Sequence, residues 1–130
     1  EIDYAYWLFG KPLKVNKIAT NKSSLQIDAI DYANFILSYD SFNSSIILNY
    51  FRRDPKRTLE IVLKDETVLV NLLENKVYCN NNLIFKSEKT ILDTYLDQLT
   101  FFIKEVIPKK KVFNSAKEAY EILKICLQND

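Results

Sequence analysis

The sequence has 130 residues, 48% of them hydrophobic and 27% charged, which is the size and composition of one soluble domain with one core. Its 18 basic and 17 acidic residues leave a net charge of +1, which argues against a dedicated nucleic-acid or membrane-surface binder, and no apolar run approaches the roughly 20 residues of a transmembrane helix. His is absent and Gly occurs once, so the commonest general base is missing and no glycine-rich phosphate loop can form.

Taken in chain order, Ile2, Ala5, Tyr6 and Phe9 recur at helical spacing, and Gly10 followed by Pro12 ends that helix. A strand is predicted from Leu13 to Ala19, with Leu13, Val15 and, after a break, Ile18 as its apolar positions. A polar loop from Thr20 leads to a strand over Asp31 to Tyr39, with Ala33, Phe35, Leu37 and Tyr39 on one face. Asp40-Ser41-Phe42-Asn43 turns the chain into a strand over Ser44 to Arg53, with Ile46, Leu48 and Tyr50 on one side and Ile47 and Phe51 on the other. Asp54-Pro55-Lys56 interrupts, since Pro cannot donate to a central ladder. Shorter strands follow over Arg57 to Leu63, Thr67 to Asn71, Lys76 to Cys79 and Leu83 to Phe85. Their short turns require antiparallel pairing, and Asn holds the positive-φ positions that Gly normally takes.

Beyond Lys86 the period changes. Ser87 is the expected N-cap of a helix carrying Ile91, Leu92, Tyr95, Leu96, Leu99, Phe102, Ile103 and Val106, which Pro108 ends. Lys109-Lys110-Lys111 reads as a solvated linker. Ser115 with Glu118 forms a capping box for a last helix striped by Ala119, Ile122, Leu123, Cys126 and Leu127. Grouped strands followed by grouped helices predict an α+β fold: a mostly antiparallel, open-faced sheet of about six or seven strands with helices packed on one face. The opposite face, with Tyr32, Ile36, Ile47 and Phe51, is too apolar to stay wet and predicts contact with another subunit or domain.

The standard catalytic constellations are missing. Cys79 and Cys126 are read as reduced thiols of a cytoplasmic protein, with no CxxC and no His to build a zinc site. Asp93 and Asp97 fall on the polar side of a helix, and Asp28 and Asp31 bracket a strand entry where they would cap the loop. Arg52-Arg53-Asp54-Pro55-Lys56-Arg57 is the most functional-looking stretch. It could grip a phosphate or carboxylate, or it could be a charged hairpin that blunts a sheet edge.

Asp3, then Trp7-Leu8-Phe9-Gly10 and Pro12, resemble the Gfo/Idh/MocA family of NAD(P)-dependent oxidoreductases acting on sugars and polyols, which carry a His-x-x-Asp element followed by a Leu-Phe-Gly-x-Pro run. Asp31-Tyr32-Ala33, Arg57-Thr58-Leu59-Glu60-Ile61 and Ser115-Ala116-Lys117-Glu118-Ala119 resemble later elements of that family. The resemblance implies that residues 1–130 are a single C-terminal substrate and oligomerisation domain, and that the family's His lies just before Glu1. Its catalytic Lys and the N-terminal Rossmann domain that holds NAD or NADP would lie further upstream. The absence of any Met in the chain agrees with that expectation. It further implies no catalytic, cofactor-binding or metal-binding residue in this chain, a small-molecule substrate, and a homo-oligomer formed through the open sheet face. Asp3 would orient the missing His or a sugar hydroxyl, or serve only as a helix-terminus charge. Tyr50, Arg52 and Arg53 are the further candidates for substrate contact. The alternative is a free-standing α+β interaction or scaffolding module.

Overall fold

A computed structural model describes residues 1–110 and 114–127. The described residues form two compact units, 1–53 with 114–127 and 54–110. Seven strands, all antiparallel, and several helices give the α+β class expected from the sequence. The strands are hydrogen-bonded as a three-stranded and a four-stranded sheet, divided by the stretch that contains Pro55.

In the first unit, α1 (Ile2–Phe9) ends at Gly10, whose N–H donates to the Tyr6 carbonyl at 2.8 Å. Gly10 has φ 78°, a left-handed value that a side chain would strain, so the single glycine of the chain sits where one is needed. The first sheet follows with β1 (Lys14–Thr20), β2 (Tyr32–Ser38) and β3 (Asn43–Asn49) in the order β1-β2-β3. Lys17 pairs with Phe35 and Val15 with Leu37, while Phe35 pairs with Ile46 across β2 and β3. Side chains alternate in a strand, so Val15, Lys17 and Ala19 share one face with Ala33, Phe35, Leu37 and Ile46. The expected break in β1 does not occur; Lys17 keeps the register, and Ile18 points to the other face.

α1 and α4 (Ala116–Leu127) cover that first face. Ile2 and Ala5 of α1 join Phe35 and Leu37 as the buried core, with Phe9, Val15, Ile46, Ile122, Ile125 and Cys126 packed around them. The capping box of α4 is present: Glu118 N–H donates to Ser115 Oγ at 3.2 Å, and Ser115 N–H donates to Glu118 Oε2 at 2.8 Å. On the uncovered face Ile18 and Ile47 stay 55% and 58% exposed, beside a more sheltered Ile36.

The second unit holds β4 (Thr58–Val62), β5 (Thr67–Asn71), β6 (Lys76–Cys79) and β7 (Asn82–Lys86) as a meander. Asn80 and Asn81, both at positive φ, form the two-residue link from β6 to β7, and Asn75 is left-handed before β6. Then α2 (Ile91–Phe101) begins at Thr90, not Ser87. Thr90 and Asp93 make a reciprocal capping box, while Ser87 Oγ accepts from the Lys89 N–H at 3.2 Å. The helix widens into a π turn over Phe102–Val106 and closes as α3 (Ile107–Lys109) with a left-handed Lys110. Pro108 lacks an N–H and its ring crowds the carbonyl four residues back, and the wider turn makes room for it. Lys111 of the expected linker lies outside the described residues.

Candidate functional site

Two neighbouring cavities open in the first unit, and both are lined by Asp31 and Tyr32. The larger, 550 Å³, has Ala19, Ala33, Phe35 and Leu48 of the covered sheet face as its floor, with Ile122 and Cys126 of α4 beside it. Glu1 and Asp3 reach it from the start of α1, Lys17 from β1, and Asn49 and Tyr50 from the end of β3. Lys17 Nζ donates to the Cys126 carbonyl at 2.9 Å and stands 5.9 Å from the Phe35 ring centroid. Its cation is thereby fixed over an apolar floor. Asp3 Oδ1 accepts from Asn114 Nδ2 at 3.4 Å. The lining therefore combines carboxylates, an ammonium, an amide and a phenol over an apolar base, groups that donate to and accept from hydroxyls.

Among the described residues Asp31 is the best-buried polar one, 1% exposed. Its Oδ1 accepts from the Lys22 N–H at 3.3 Å and its Oδ2 from the Ser23 N–H at 2.9 Å. The Ser23 side chain, acting against the cost of burial and helped by these backbone donors, holds the Asp31 carboxyl below the usual aspartate range. Its own N–H donates to the Thr20 carbonyl and its carbonyl accepts from the Tyr50 N–H, both at 3.0 Å. Asp31 thus ties the 21–30 loop to the ends of β1 and β3, the loop-capping role expected for it.

The smaller cavity, 330 Å³, is lined by Thr20, Lys22, Ser23, Ser24, Phe51 and Arg53 in addition to the two shared residues. The four candidates from the sequence therefore separate. Asp3 and Tyr50 meet in the larger cavity, Arg53 lines the smaller one, and Arg52 lines neither, its N–H donating to Asn49 Oδ1 at 3.0 Å. Lys17 is not among the candidates from the sequence, where the apolar positions Leu13, Val15 and Ile18 imply a break in the strand. An unbroken Val15-x-Lys17-x-Ala19 alternation would have placed a lysine among the inward positions. Asp93 closes its cap and Asp97 pairs with Lys89, so this carboxylate pair is structural.

Among the described residues no three of Cys, Asp and Glu converge as a metal would need, and no helix is long and apolar enough to cross a membrane. Cys79 and Cys126 are free thiols, both half-buried. Among the described residues the one glycine closes the end of α1 and every strand pairing is antiparallel, so the strand–turn–helix cradle of a Rossmann pyrophosphate site is not among them.

No family model matches the sequence, and no curated protein is similar to it. Solved structures are. UDP-N-acetylglucosamine 3-dehydrogenase GnnA from Acidithiobacillus ferrooxidans superimposes with a TM-score of 0.74 at 18% identity, over 98% of this chain and 42% of that one. YvaA of Bacillus subtilis, described as an oxidoreductase, gives 0.70 at 15% identity, over 96% of this chain and 44% of that one. The chain shares its fold with part of each. It spans less than half the length of either protein.

Proposed function

We propose that this chain is the C-terminal domain of an NAD(P)-dependent oxidoreductase of the Gfo/Idh/MocA type, supplying one wall of a sugar- or polyol-binding pocket and an assembly surface. The observation that carries this reading is the asymmetry of the structural match: nearly all of this chain, but only 42% and 44% of two longer proteins, one a dehydrogenase of a sugar nucleotide. The larger cavity supports it. Asp3, Glu1, Asn49 and Tyr50 can orient a polyhydroxy compound over an apolar floor, but oxidation of an alcohol needs a group that takes the hydroxyl proton and a partner that takes the hydride. The resemblance assigns both to upstream sequence, the proton acceptor as the His preceding Glu1. Asp3 then serves as a positioning residue for that His or for a substrate hydroxyl, and the chain on its own binds no dinucleotide and turns over no polyol.

Reading the coding sequence upstream of Glu1 tests the proposal. A strand with a GxGxxG turn and a helix, a Glu-Lys-Pro further on, and a His directly before Glu1 are expected. A stop codon or an unrelated segment would overturn it and leave the free-standing interaction module. Micromolar NAD(H) binding by the 130-residue chain in calorimetry would also contradict it.

A further inference from the structure

The smaller cavity differs from the larger in its donors. Lys22 and Arg53 bring two cations, and neither has an ion-pair partner among the described residues. Asp31 also lines the cavity; its carboxylate accepts from the Lys22 and Ser23 N–H groups and keeps its negative charge, so it offsets one of the two cations, and Ser23 Oγ in turn accepts from the Leu25 N–H at 3.1 Å. What remains open to a ligand is the Lys22 ammonium, the Arg53 guanidinium and the hydroxyls of Thr20 and Ser24, with Tyr32 and Phe51 as aromatic walls. An ammonium, a guanidinium and two hydroxyls around one space are the donor set of an oxyanion site, in which Arg can bind two oxygens at once and Lys adds a point charge.

We infer that this cavity binds the anionic substituent, phosphoryl or carboxylate, of a ligand whose neutral polyhydroxy part occupies the larger cavity. Asp31 and Tyr32 line both spaces, so the two lie next to each other at this end of the sheet. The buried carboxylate of Asp31 is the device that sets this up: by holding the Lys22 and Ser23 backbone it fixes where the Lys22 and Ser24 side chains begin. The link between the cavities rests on the sugar-dehydrogenase reading; the anion site by itself does not.

The test is a titration of the isotope-labelled 130-residue chain, followed by its backbone amide resonances, with inorganic phosphate, acetate and glucose 1-phosphate. Phosphate or acetate is expected to shift the amides of residues 20–24 and 51–53 saturably in the millimolar range, and less so as sodium chloride is raised. Arg53→Ala should weaken the binding about tenfold and Arg53→Lys should recover part of it. Both substitutions are at an exposed position, so an unchanged spectrum elsewhere reports an intact fold. Glucose 1-phosphate should bind more tightly than phosphate and also move the amides of Asp3, Lys17 and Tyr50. Unsaturable shifts for both simple anions, or equal affinity in Arg53→Ala, would overturn the anion site. Shifts by glucose 1-phosphate confined to the smaller cavity would overturn the link. The upstream coding sequence decides the parent reading separately, so either can fail without the other.

Discussion

Asp31 and Tyr39 show two opposite fates for a sheltered polar atom. The carboxylate of Asp31 is satisfied by the Ser23 side chain and by the backbone of Lys22 and Ser23, and its pKa lies below the ordinary value as a result. A carboxyl whose folded pKa is depressed contributes stability that is present above its unfolded pKa and is lost as pH falls through the folded one. Asp31→Asn removes that contribution and turns an amide donor toward a backbone donor. The variant should be less stable than wild type at neutral pH, and the gap should close as pH drops below the ordinary aspartate range. Urea unfolding of both proteins across that range measures it; a gap independent of pH would refute the assignment. The Tyr39 hydroxyl, by contrast, is buried with no hydrogen-bond partner among the described residues, and burial pushes its pKa up. The ring is well used, stacked on Phe42 at 4.6 Å and edge-on to Phe9 at 6.1 Å. Tyr39→Phe should therefore keep the fold and raise stability by about 1 kcal/mol, read as a higher urea midpoint with an unchanged slope. Asp31 was legible in the sequence as a loop cap, because an acidic residue at a strand entry has few other uses. Tyr39 was legible only as an inward apolar position, since the partner of a hydroxyl depends on residues from other elements.

At the scale of elements, local chemistry determined what could be read. Ser115 and Glu118 announce the start of α4 because both halves of the box are residue types that seldom serve another purpose at that spacing, and the structure has both bonds. Ser115→Ala should cost about 1 kcal/mol and fray the first turn of α4, while Ser115→Asp should recover most of the loss. Unfolding by urea with amide exchange of residues 116–119 checks both; an unaffected first turn would mean that packing of Ile122 and Ile125 alone holds the helix. The start of α2 was misplaced because Ser87 and Thr90 are both capable caps, and the choice fell to Asp93, which answers Thr90. The seven strands and their antiparallel sense followed from alternation and from turns built on Asn75, Asn80 and Asn81. Their division into two sheets did not, because alternation fixes which side chains share a face and says nothing about which strands lie next to one another.

Across the whole molecule, burial is uneven. The buried ones among the described residues, Ile2, Ala5, Pro12, Asp31, Phe35 and Leu37, all belong to the first unit. The second unit has none among its described residues, and along α2 Leu92, Tyr95, Leu96 and Leu99 stay more than half exposed. Apolar stripes of this kind were expected from the sequence to be core; periodicity reveals an apolar face without revealing whether the same chain covers it. In the chain alone, amides of β1 to β3 should exchange slowest and those of β4 to β7 faster, since local opening costs least where little is buried. The uncovered face of the first sheet carries the last expectation. Ile18, Ile36 and Ile47 lie together on it, far from the α1 and α4 side that forms the core. If that face is an assembly surface, the 130-residue chain should sediment as a dimer or larger species at high concentration. Ile47→Lys should then return it to a monomer without loss of the core, because a charge there meets solvent in the monomer and apolar surface in the assembly. A wild-type chain that stays strictly monomeric at high concentration would remove self-association from the account and leave this face to a different protein or domain.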